Sequence, residues 1–210
     1  MKSLKRIVCV IMAFVLIACS MTISAYAKSE DEEIVANVYI CHRILKKLME
    51  GHSWLYFENL TDHDIQVGAY TVPPGEGVSV GTYSGVDVPE GFGVYYNVEA
   101  YRYGKGGLHD NVYLKKELTQ KQLERMSDKV ARSNYWSHFT NCSFFTITTW
   151  NVVFGKPLLY VMIPLFTRWE IQIYPGHQEG FLMKFPGKDK VFKQKGLGKN
   201  ATLIPSEPYK

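Results

Sequence analysis

Two short motifs carry the residue types that thiol chemistry needs. Gly51-His52-Ser53-Trp54-Leu55-Tyr56 puts a histidine at the mouth of a hydrophobic run, and Asn141-Cys142-Ser143-Phe144-Phe145 puts a cysteine directly after a good helix N-cap. A thiol attacks only as thiolate, and free cysteine is mostly protonated near neutral pH. A helix N-terminus and a neighbouring imidazolium both stabilise the anion. A third polar group must then fix the ring tautomer. Glu99 is the best candidate for that group, on the run Gly93–Tyr101, which reads as a long strand. There Asn97, Glu99 and Tyr101 share one face by the two-residue period. Gln66 and Asn97 are the alternatives. Against catalysis stands the ordinary fate of paired cysteines in an exported chain, a Cys41–Cys142 disulfide.

The elements that would hold these residues follow from pattern. Ile34–Cys41 is strand-like, Arg43–Glu50 is a short basic connection, and Ser53–Phe57 is an aromatic run that favours β structure. Leu60–Asp64 is a turn and Ile65–Val72 a return strand, so residues 52–72 read as a hairpin that sets His52 opposite Val72. Val78–Thr82 is a further strand after Pro73-Pro74-Gly75. Thr119-x-x-Gln122 is a capping box ahead of Leu123, Met126 and Val130, which predicts an amphipathic helix over Thr119–Arg132. Asn141–Phe154 is strand-like by its β-branched and aromatic content and helix-like by its cap. Pro164–Tyr174 reads as a short helix, with Leu165, Trp169 and Ile173 at i, i+4 and i+8. Strands first and helices later predict an α+β fold, an antiparallel sheet with helices packed on one side.

The ends of the chain bear on where it works. Lys2, Lys5 and Arg6 precede the apolar run Ile7–Ala18, and Ala25-Tyr26-Ala27 is a signal-peptidase site, so residues 1–27 read as a cleaved secretory signal. A lipobox reading of Leu16-Ile17-Ala18-Cys19 is weaker, because Met21–Ala27 stays apolar where a lipoprotein turns into a polar tether. Residues 28–33 form an acidic leader, residues 34–183 one domain, and residues 184–210 a basic tail. The three basic residues of the signal account for most of the formal net charge of +4. The tail has seven Lys against Asp189 and Glu207, which suits either a solvated terminus or contact with an anionic wall polymer or membrane surface. Basic residues are not interleaved with aromatics on one face, so nucleic acid is not expected. No two of the six histidines form a close ligand pair on one helix, and there is no Cys-x-x-Cys, so neither a metal nor another cofactor is expected. Gly104–Gly107 lacks the Lys-Ser/Thr of a phosphate loop, and there is no Gly-x-Ser-x-Gly elbow.

Asn141-Cys142-x-x-Phe145 at a helix start, with the strand-opening His52 far upstream, resembles the circularly permuted branch of the NlpC/P60 (papain-like) superfamily. Lecithin:retinol acyltransferase-like proteins and some bacterial hydrolases belong to that branch. The stretch from Gly51 through Gly93–Glu99 to Trp150-Asn151 also resembles uncharacterised exported proteins of Gram-positive bacteria. The resemblance implies Cys142 as nucleophile and His52 as general base. It departs from the acyltransferase pattern Asn-Cys-Glu-His-Phe at Ser143 and Phe144, and His63 falls in a turn rather than on a partner strand. What it implies is an exported thiol hydrolase acting on a peptide or acyl substrate, with peptidoglycan stem peptides as the natural target. The alternatives are a thioester acyltransferase and a non-catalytic binding module on the same scaffold.

Overall fold

The computed structural model describes residues 32–44, 51–85, 88, 91–105, 111–180, 183–184 and 186–206. The chain divides into two units, Met1–Glu32 and Glu33–Lys210. Of the first unit only Glu32 is described, so the expected signal, the lipobox alternative and most of the acidic leader lie outside the described residues. Among the described residues no helix is long and apolar enough to cross a membrane.

The second unit is α+β. Its strands are β1 (Ile34–Ile44), β2 (Gly51–Asn59), β5 (Gly77–Tyr83), β6 (Gly93–Tyr96), β7 (Asn111–Thr119), β8 (Gln178–Glu179), β9 (Phe192–Lys195) and β10 (Thr202–Pro205). They form one antiparallel sheet in the order β10-β9-β6-β5-β2-β1-β7-β8. A separate pair, β3 (Ile65–Val67) and β4 (Tyr70–Val72), closes on itself. This corrects the hairpin expected over residues 52–72. β2 pairs with β1 and β5, and His52 lies opposite Arg43 rather than Val72. Asn59 makes the diversion: its Nδ2 donates to the carbonyls of His63 at 2.7 Å and Val72 at 2.9 Å, folding residues 60–72 into a self-contained excursion.

Strand alternation sorts the core into two layers. Val38, Ile40, Leu55, Phe57, Val78 and Val80 face one way, toward three helices: α2 (Gln120–Ala131), α3 (Cys142–Asn151) and α4 (Pro164–Ile173). Tyr39, Cys41, Trp54 and Tyr56 face the other way, where the short helix α1 (Val98–Gly104) packs Ala100 against them. The α2 helix begins as its capping box predicts, the Thr119 N–H donating to Gln122 Oε1 at 3.0 Å, and it buries Leu123, Met126 and Val130.

Two expectations fail on local chemistry. The run Gly93–Tyr101 is not one strand: β6 stops at Tyr96, and Asn97 takes a left-handed conformation, φ 64°, that starts α1. Asn97 holds that turn by accepting from the Ser79 N–H at 3.2 Å and donating to the Lys190 carbonyl at 3.0 Å. The basic segment after residue 183 is not a detached tail. β9 pairs with β6, β10 pairs with β9, and the buried Gln194 accepts from Tyr96 Oη at 2.7 Å while donating to the Ser133 carbonyl at 2.8 Å. Lys193 and Lys195 flank the buried Gln194 on β9 and so project from the opposite face of that strand.

Candidate active site

Cys142 heads α3, and local chemistry explains why that segment is a helix despite its threonines. Asn141 is extended, and its Oδ1 accepts from the N–H groups of Ser143 at 3.0 Å and Phe144 at 3.3 Å. The hydroxyls of Thr146, Thr148 and Thr149 bond back to the carbonyls of Cys142, Phe144 and Phe145, each at 2.7 Å, so these polar groups are satisfied within the helix. The helix buries residues all round, among them Ser143, Phe145, Ile147 and Trp150, which removes the amphipathic stripe that normally betrays a helix. Asn141 Nδ2 donates to the Met162 carbonyl at 2.8 Å and thereby pins the head of α3 to the loop before α4.

His52 opens β2, 7% exposed, with its ring 4.5 Å from that of Tyr83 and stacked on Trp54 at 6.1 Å. A Cβ at Gly51 would come within 2.5 Å of His42 Nε2, and one at Gly81 would lie 3.4 Å from His52 Nε2. His52 Nε2 lies 3.7 Å from Glu99 Oε1.

Glu99 has no solvent exposure. It accepts from Tyr83 Oη at 3.1 Å, Arg102 Nη1 at 3.1 Å and Arg43 Nε at 3.1 Å. Burial alone would push its carboxyl up; His52, Arg43 and Arg102 outweigh that and hold it below the usual range, so it is a fixed anion. The residue chosen from sequence therefore does meet His52, but from helix α1 and not from a strand face. Asn97 is committed to the turn described above, and Gln66 is exposed on β3, bonded to Gly68 and Thr71.

Alternation puts Arg43 and His52 on the α1 side of the sheet, and Ser53 on the α3 side. A cavity of about 240 Å³ at the ends of β1, β2 and β5 takes its wall from both sides, and both His52 and Cys142 line it. Ser53 Oγ and Ser143 Oγ, the next residue along from each, are hydrogen-bonded at 3.2 Å, which clamps the head of α3 to the start of β2. His42 Nδ1 continues this chain, 2.9 Å from Ser53 Oγ. Burial first, then His52, Arg168 and Arg43, lower the His42 pKa to about 3, so its imidazole is neutral at ordinary pH.

The disulfide expectation is corrected: Cys41 and Cys142 are not joined by a disulfide. The sheet explains it. Cys41 faces Tyr39, Trp54 and Tyr56 on the α1 side, whereas α3 packs on the opposite face. Burial, with the Glu99 charge adding to it, pushes the Cys41 thiol well up, which makes it inert.

Thiol, imidazole and carboxylate thus gather around one end of the sheet. Arg43, Arg102, Tyr83 and His42 escaped the sequence reading. The signal for Arg43 was the β1–β2 register, which sets it opposite His52; Arg102 and Tyr83 carried no local signal, because Glu99 was placed on the wrong kind of element. Among the described residues no cluster of three His, Cys, Asp or Glu side chains could hold a metal ion. No family model, curated protein or solved structure matches the chain.

Proposed function

We propose that the protein is a thiol hydrolase of the amidase or peptidase type, with Cys142 as nucleophile, His52 as general base and Glu99 as the residue that positions His52. The observation that carries this reading is the shared cavity, lined by Cys142 from the head of α3 and by His52, whose Nε2 lies 3.7 Å from the buried Glu99. With Nε2 turned toward Glu99, Nδ1 is the ring nitrogen that takes the thiol proton. The sulfur then bonds to the substrate carbonyl carbon, and a backbone N–H at the head of α3 steadies the oxyanion. His52 returns the proton to the leaving amine as the C–N bond breaks, and water cleaves the resulting thioester by the same base. Acyl transfer differs only in what accepts the acyl group. The apolar leader with its Ala25-Tyr26-Ala27 site and the permuted NlpC/P60 resemblance support work outside the cell, on wall-peptide amide bonds.

Thiol labelling tests it. Cys142 should alkylate with iodoacetamide about tenfold faster than a model thiol near pH 6, and His52→Ala should lose that advantage. Equal sluggishness in both proteins would sink the enzyme reading and leave a binding module.

A further inference from the structure

We propose that Arg43 and Arg102 form a carboxylate-binding subsite beside Cys142, so that the substrate of this thiol carries a free carboxylate next to the bond that is attacked. The proposal rests on the hydrolase reading above and adds the substrate class to it.

Both guanidinium groups line the same cavity as Cys142 and His52. Arg43 comes from the end of β1 and Arg102 from α1, two elements that are far apart in sequence, and their side chains are 11% and 29% exposed. Among the described residues of the wall, these two arginines are the groups that carry charge at every working pH, and no Asp or Glu lines it. Glu99 lies behind the wall with no exposure and accepts from Arg43 Nε at 3.1 Å and Nη2 at 3.5 Å and from Arg102 Nη1 at 3.1 Å. That grip does two things. It immobilises both guanidinium planes, and it compensates one of the two charges, so the wall still favours an anion. A planar, preorganised donor set matches a carboxylate. The cavity volume of about 240 Å³ suits a single amino-acid-sized group and not a long chain. An arginine pair whose sole purpose was to neutralise Glu99 would have no need of a place on the wall beside the sulfur.

Iodoacetate and iodoacetamide, which differ in charge and hardly in shape, give the test. Each forms an S–C bond at Cys142 and expels iodide, and only iodoacetate can be held by the arginines. The ratio of the two alkylation rates, measured in the full chain at low salt, should favour iodoacetate about tenfold or more over the ratio for a model thiol. It should fall to the model-thiol ratio in both Arg102→Gln and Arg43→Gln. Taking the ratio cancels any general change in thiol reactivity that the substitutions cause. Rapid alkylation with no iodoacetate preference, or a preference that survives both substitutions, overturns the subsite and leaves the Cys142–His52 reading standing. A thiol that is slow toward both reagents overturns that reading, and the subsite with it.

Discussion

Glu99 has two separable jobs. It anchors Arg43 and Arg102, and it faces His52 Nε2 at 3.7 Å. Replacing it with Gln removes a fully buried anion and leaves two guanidinium groups without their counter-charge, which should cost about 3–5 kcal/mol of stability in denaturant titrations. The same Glu99→Gln protein, measured where it is still folded, should alkylate at Cys142 about tenfold more slowly near pH 6, because the carboxylate that faces Nε2 is gone. A stability loss without a rate loss would make Glu99 a structural ion only. At this scale the sequence was informative about candidates: Cys142 and His52 stood out because a helix cap and a strand start are local signals. Glu99 stood out only through its residue type. Its surroundings depend on Arg43 and Tyr83, which local pattern does not connect to it.

The elements that carry the site depend on a few polar side chains. Asn97 ends β6 in a left-handed conformation and binds both β5 and the Lys190 carbonyl. Asn97→Ala should therefore cost about 2–3 kcal/mol, combining lost hydrogen bonds with the strain of a positive φ; Asn97→Gly, which avoids that strain, should cost less. If the two variants are equally unstable, the strain is not what matters there. This residue also shows why the expected long strand failed. Alternation counts side-chain polarity, and Val94-Tyr95-Tyr96 followed by Val98 looks continuous until an asparagine finds backbone partners. The α3 segment was ambiguous for the complementary reason: a helix buried on every side has no stripe, and only Asn141 argued for it. β7 was missed altogether, since Lys115, Lys116 and Glu117 on its exposed stretch conceal a strand whose other residues are mostly buried.

Across the whole molecule, acid should find its weak point at His42. Its imidazole ordinarily titrates at 6.5 but is lowered to about 3 when folded, burial being the first cause. The unfolded chain therefore binds a proton there that the folded chain refuses. Stability should fall as pH drops from 6.5 toward 3, by about 1.4 kcal/mol per unit from this group alone, with no contribution above 6.5. Glu99 acts in the same direction but only below the usual carboxylate range, and Glu170, whose carboxyl burial pushes up, acts in the opposite direction just above 4.5, so the histidine is isolated by comparing denaturant titrations of the parent and a His42 variant between pH 4.5 and 6.5. In His42→Asn the slope over that interval should flatten by about that amount; an unchanged slope would contradict the assignment. The α+β class was legible in the order of strands and helices, whereas the sheet order was not, because it joins segments from opposite parts of the chain. β6 lies between β5 and β9, and in the chain β6 and β9 are separated by α1, β7, three further helices and β8. A polypeptide synthesised N-terminus first thus presents β6 with a bare, hydrogen-bond-hungry margin until residues 192–205 arrive. Maturation must wait for that late zipper, and during the wait the nascent molecule is open to sticking to its siblings or to a holding chaperone.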